Sequence, residues 1–162
     1  MPTPLAKQRA LKYGLKDEQV RVVGLPVANR FCQPAGDKRL LRQRLGWPQE
    51  LTSVLLVGGG EGMGPLEKTA LAIAQSRLPI SLVLVSGRNQ KLKARLENQS
   101  WPLPVKVYGF VQEMPDFMQA ADILVTKAGP GTISEALIAG LPMVLYSYLP
   151  GQEEGNIKYV VD

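Results

Sequence analysis

Histidine is missing from all 162 residues, and cysteine occurs once, as Cys32. The first absence removes Ser-His-Asp and Cys-His catalysis from the chain, together with zinc sites of the usual Cys/His composition. The second excludes an internal disulfide and fits a reducing compartment. With no imidazole to activate it, Cys32 reads as a structural or incidental thiol. Aromatic residues make up only 6% of the chain, and none interleave with the basic residues, so nucleic acid is not an expected partner. No apolar run approaches the roughly 20 residues that span a bilayer, and the N-terminus carries no signal-peptide apolar region. A cytoplasmic or peripheral-membrane location is the expectation.

What is present fits an ordinary globular domain with an adequate core: 45% hydrophobic and 20% charged residues. The charge is unevenly placed. Residues 1–50 hold ten Lys/Arg against four Asp/Glu, whereas 51–162 hold nine against ten. The excess of +5 therefore lies in the first third, chiefly at Lys7, Arg9, Lys12, Lys16, Lys38, Arg39, Arg42 and Arg44. Such a surface attracts anionic lipid headgroups or phosphorylated ligands. Solvated faces of two short helices are the plainer account of it.

Apolar periodicity predicts a regular alternation of elements. A helix over Pro4–Gly14 leads to a short strand, Val20–Gly24, and then to a basic helix, Asp37–Leu45. Strands follow at Ser53–Val57, Ile80–Ser86, Val105–Tyr108, Asp122–Thr126 and Met143–Tyr146. Helices are expected between them at Pro65–Leu78, Gln90–Asn98, Met114–Ala121 and Thr132–Ala139. Within Pro65–Leu78, the residues Leu66, Ala70, Ile73, Ala74 and Leu78 recur at helical spacing and form one core-facing stripe. Strands alternating with helices on this scale predict an α/β fold, a Rossmann-like doubly wound parallel sheet. Ligands of such sheets bind beyond the carboxyl ends of the strands.

Four loops at that edge carry chemistry. Gly58-Gly59-Gly60-Glu61-Gly62-Met63-Gly64 has five glycines in seven residues, so its backbone can approach a ligand closely. It matches a dinucleotide fingerprint only loosely. Ser86-Gly87-Arg88 stands where an NAD-binding domain places its ribose carboxylate, which counts against such a domain. Gly109-Phe110-Val111 offers backbone contacts to a base, although Phe110 could equally be core. Ala128-Gly129-Pro130-Gly131 opens a helix with Thr132, Ser134 and Glu135 in its first turn. Its exposed N–H groups and positive helix end suit a diphosphate, with Glu135 facing ribose hydroxyls. Leu149–Asn156 gathers Gln152, Glu153 and Asn156 at a helix start, groups that suit a hydroxyl-rich ligand or simply a solvated turn.

Val-Gly-Gly-Gly-Glu-Gly-Met-Gly (57–64), Gly-Phe-Val (109–111), Thr-Lys-Ala-Gly-Pro-Gly-Thr-Ile-Ser-Glu-Ala (126–136) and Pro-Gly-Gln-Glu-Glu-Gly-Asn (150–156) together resemble a known pattern. It is that of glycosyltransferases of the monogalactosyldiacylglycerol synthase type, relatives of the bacterial peptidoglycan N-acetylglucosaminyl transferase. The resemblance runs over nearly the whole chain. It implies one half of a two-domain glycosyltransferase-B fold. Residues 1–26 would be the tail of the N-terminal domain and the interdomain connection, and 27–162 a C-terminally truncated nucleotide-sugar domain.

By the same resemblance, Phe110 and Val111 lie at uracil, Gly129, Gly131 and Thr132 meet the diphosphate, and Glu135 holds the ribose. Gln152 and Glu153 bind the hexose, with Asn156 supporting their loop. Gly59, Gly60, Glu61, Gly62, Met63 and Gly64 face the cleft. The implied reaction is hexosyl transfer with inversion from a UDP-sugar to a lipid acceptor, diacylglycerol, with no bound metal or other cofactor. An anionic membrane surface is a further expected partner. The general base would belong to the N-terminal domain, so a fragment of this extent is expected to be inactive alone. A free-standing donor-binding subunit of a split glycosyltransferase and a nucleotide-sugar epimerase are the alternatives.

Overall fold

Five apolar runs rich in valine, leucine and isoleucine form the strands of one parallel sheet in the computed structural model, which describes every residue except Ala35, Met63 and Asp162. They are β1 (Thr52–Val57), β2 (Ile80–Val85), β3 (Val105–Tyr108), β4 (Ile123–Lys127) and β5 (Met143–Ser147), in the order β3-β2-β1-β4-β5. The runs are nearly continuous in hydrophobicity because both faces of the central strands are covered. Leu55, Val57, Val83, Val85 and Leu124 point into one core with Leu41, Trp47, Phe117 and Ala136. The alternate residues Val54, Leu56, Leu82, Leu84 and Val125 point into the other with Leu66, Ala70, Leu92 and Leu96.

The helices are α1 (Pro4–Lys12), α2 (Lys38–Leu45), α3 (Leu66–Ala74), α4 (Gln90–Glu97), α5 (Met114–Ala120), α6 (Pro130–Ile138) and α7 (Glu154–Val161). The first core places α2, α5 and α6 on one sheet face, and the second places α3 and α4 on the other. Short 3-10 turns cover Asp17–Gln19 and Asn29–Cys32. No described helix is long and apolar enough to cross a membrane.

Three expectations are corrected. Val20–Gly24 is not a strand: it pairs with no described strand, Val22 and Val23 are exposed, and its backbone N–H groups at Val20 and Val23 donate to Asp17 O at 3.1 Å and Met1 O at 3.0 Å. A β run without a neighbouring strand has nothing to satisfy its backbone. Helix α3 ends at Ala74 rather than Leu78, because Arg77 turns the chain at φ 59° and leaves Leu78 exposed. Helix α6 begins two residues early, with Gly129 as N-cap and Pro130 as its first residue. Proline's fixed φ suits that position, and it moves Ser134 and Glu135 into the second turn.

Registers Val57↔Val85, Val85↔Tyr108 and Val57↔Thr126 bring four strand ends level. The loops that follow β1, β2, β3 and β4 thus stand in a row. The chain runs outward from β1 to β3 and returns on the other side of β1 as β4, so the topological switch point falls between β1 and β4.

Candidate donor-binding site

The glycine-rich loop after β1 is shaped by the loop after β2. Gly62 sits at φ 59°, and a Cβ there would lie 2.1 Å from Ser86 O. Gly87 sits at φ 61°, with its own Cβ position 2.4 Å from Gly60 O. Two backbones therefore pack directly on each other, joined by Arg88 N–H to Gly60 O at 2.8 Å. The Asn89 amide reaches Gly62 O at 3.4 Å and also caps α4, accepting from Leu92 N–H at 2.9 Å. Gly60, Glu61 and Gly64 remain exposed. Met63 lies outside the described residues.

Arg88 links this loop to the next. Its guanidinium is 2.6 Å from Glu61 Oε1 and 4.7 Å from the centre of the Phe110 ring. Phe110 is 52% exposed, so the reading of it as core is overturned: the side chain turns outward and stacks on a cation. Val111 turns inward and packs against the first core. Beyond it, Gln112 and Glu113 line a 480 Å³ cleft with Arg30, Gln33, Arg44 and Gln119. A 340 Å³ cavity opens at the amino ends of β2 and β3, between Ser81–Val83, Pro104–Lys106 and Gly46–Pro48. It is remote from the four loops.

At β4 the ladder to β5 shifts register between Thr126 and Lys127. Such irregularities re-aim a side chain where regular pairing would have sent it elsewhere. Lys127 lies across Gly59, where a Cβ would approach its Cε to 2.9 Å. Its Nζ reaches Glu153 Oε1 at 2.8 Å. Glu153 is 6% exposed, and its Oε2 accepts Leu149 N–H at 2.9 Å. The Asn156 amide donates to Ala128 O at 2.8 Å, tying α7 to the turn before α6. Gln152 is exposed on the same turn.

Among the described residues no side chain caps α6. The N–H groups of Gly131 and Thr132 have no acceptor inside the helix, while Pro130 has no N–H to offer. Gly131 is exposed, with nothing within 4 Å of its Cβ position. Glu135 follows Gly131 by four residues, on the same helix face. Burial pushes its carboxyl above the ordinary glutamate value, and the charge of Arg30 pulls the other way. Arg30 comes from the 3-10 turn Asn29–Cys32, which packs on α6.

The fold thus gathers Gly59, Gly129, Glu153 and Asn156 around the switch point. Phe110 and Val111 stand two strands away, connected to it through Arg88 and Glu61. Sequence reasoning gave no role to Lys127, Arg88 or Arg30. A lysine closing the apolar run Ile-Leu-Val-Thr was a readable signal for the first. The other two needed loop packing that no spacing encodes.

The chain has relatives along nearly its whole length. It is 48% identical to the probable monogalactosyldiacylglycerol synthase 2, chloroplastic, of Oryza sativa subsp. indica. It is 49% identical to the monogalactosyldiacylglycerol synthase 3, chloroplastic, of Arabidopsis thaliana. Each match covers 99% of this chain and 36% of the relative, so the chain spans about a third of those proteins. Among solved structures, Acinetobacter baumannii MurG superposes with a TM-score of 0.65 at 21% identity, over 94% of this chain and 46% of that one. Anabaena Alr3699/HepE in complex with UDP-glucose does so at 0.56 and 20% identity, over 98% of this chain and 52% of that one. These two likenesses concern the fold, that of one half of a glycosyltransferase-B enzyme. The glycosyltransferase family 28 C-terminal domain matches residues 53–161, and the chain belongs to that family.

Proposed function

We propose that this chain is the donor-binding half, residues 27–162, of a hexosyltransferase that moves a sugar from a UDP-sugar to diacylglycerol with inversion. The observation that carries the reading is the meeting of the glycine-rich β1 loop and the uncapped α6 N-terminus at the switch point. There the Gly131 and Thr132 N–H groups offer a diphosphate free backbone donors, with Gly129, whose own N–H is spent on Lys127 O at 2.8 Å, opening the turn, and Gly59 to Gly64 form the facing wall. Glu135, on the same face of α6, accepts from the ribose hydroxyls. The exposed Phe110 and the backbone at Val111 take the base. Gln152 presents its amide to the hexose, and Asn156 braces the loop. Glu153, with Lys127 and Leu149 N–H already on its two oxygens, has only its remaining lone pairs for a sugar hydroxyl.

Inversion needs a single displacement at the anomeric carbon, with the acceptor oxygen arriving as UDP departs. The chain's part is to hold the leaving diphosphate in fixed dipoles that stabilise its growing charge, and the reading requires no metal. The general base and the acceptor pocket are assigned to the portion of the relatives outside the matched third. The basic first third of the chain suits contact with anionic lipid headgroups.

Calorimetric titration tests the reading. The folded chain is expected to bind UDP and UDP-hexoses and to ignore ADP and NAD. Glu135→Gln should narrow the preference for UDP over its 2′-deoxy analogue. Absence of affinity for every uridine nucleotide would sink the assignment.

A further inference from the structure

Lys127 is the cation that β4 delivers to the switch point. The register shift between Thr126 and Lys127 falls at this residue, where β1 and β4 are neighbours. Its stem occupies space that exists because residue 59 has no side chain: a Cβ there would come to 2.9 Å of Cε. Its Nζ is 3.9 Å from the Cβ position of Gly129, the residue that caps α6. One of the three ammonium N–H donors is spent on Glu153 at 2.8 Å, and an ammonium has two more. The side chain is 24% exposed and Glu153 only 7%, so solvent reaches the pair from the lysine side.

A tie between β4 and the α7 loop would need no more than a neutral hydrogen bond, and a buried ion pair gains little over one. A full charge lodged between the glycine loop and the opening of α6 suits an anion that enters between them. We propose, resting on the donor-site reading above, that Lys127 binds the diphosphate of the nucleotide, with its two remaining N–H groups directed at phosphate oxygens. Glu153 holds the ammonium beside the α6 turn in the absence of ligand.

The test compares UDP with uridine by titration on the folded chain, for the wild type and for Lys127→Met, Lys127→Gln and Lys127→Arg. Glutamine retains an N–H donor for Glu153 and loses the charge, so it covers the case in which Lys127→Met does not fold. Both neutral variants are expected to weaken UDP binding about tenfold, 1.4 kcal/mol, and to leave uridine affinity unchanged. Lys127→Arg is expected to retain most of the UDP preference. UDP and uridine affinities that fall together would overturn the proposal and make Lys127 an architectural tie. An unaltered UDP affinity in Lys127→Gln would overturn it as well. A folded wild type that binds uridine but prefers UDP no more than Lys127→Gln does would refute this role while leaving the donor site standing. A wild type that binds neither ligand would remove both readings.

Discussion

Gly62→Ala isolates the packing of the β1 loop on the β2 loop. Residue 62 has φ 59°, a conformation that costs an L-residue about 1 kcal/mol. The added methyl would also stand 2.1 Å from Ser86 O and 2.8 Å from Asn89 Cβ. The carbonyl belongs to backbone at the end of a buried strand and cannot rotate away, so the two loops must separate by about an ångström. Overpacking of that kind costs about 1–3 kcal/mol. The sum is a loss of about 3 kcal/mol, a fall in Tm of about 6–12 °C for a chain of this size. The matched control is Gly131→Ala, in the first turn of α6, where nothing lies within 4 Å of the new methyl and φ is not positive. It should leave stability unchanged or raise it by a few tenths of a kcal/mol. Its methyl enters the open space assigned to the diphosphate, so UDP affinity should fall. Urea titration followed by circular dichroism reads both variants. Equal midpoints for Gly62→Ala and wild type would refute the argument, and so would a Gly131→Ala variant as unstable as Gly62→Ala.

Two further predictions concern half-buried groups beside the sheet. Burial alone would raise the Asp122 carboxyl, but hydrogen bonds from Lys38, Ser53 N–H and Arg42, with the Arg42 charge, together hold it below the ordinary aspartate value. A depressed carboxylate contributes stability above its unfolded pKa of about 3.9 and loses it as pH falls through the folded value. Asp122→Asn should therefore flatten the decline in stability below about pH 4, and an unchanged acid limb in urea titrations would contradict the network. Tyr146 Oη is buried without a partner among the described residues, and burial pushes its pKa up to about 12. Tyr146→Phe should stabilise the ligand-free chain by about 1 kcal/mol, and a destabilised variant would mean that the hydroxyl is bonded.

The α/β alternation was legible because each central strand carries its own evidence: a short apolar run bounded by turn residues can bury both faces only inside a covered parallel sheet. The glycine loops were legible for a related reason, since positive φ and backbone contact demand residues without side chains at those positions. Local pattern failed where the outcome depended on a neighbour. Val20–Gly24 has strand-forming residues and no strand beside it, and Leu78 continues an apolar stripe beyond the point where Arg77 turns the helix. For Phe110 the sequence leaves a base contact and a core position equally open, until Arg88 stacks on its outward-turned ring from the adjacent loop. Lys127 shows the same division most plainly. Its identity and place at the end of β4 are written in the chain, but the register shift that turns it toward Gly59, and the distant Glu153 that holds it, exist only once β1, β4 and α7 have met. Backbone preference and hydrophobic period act over a few residues and settle the elements. The direction of a charged side chain is settled by packing and electrostatics between segments far apart in the chain, and that is the work of the assembled fold.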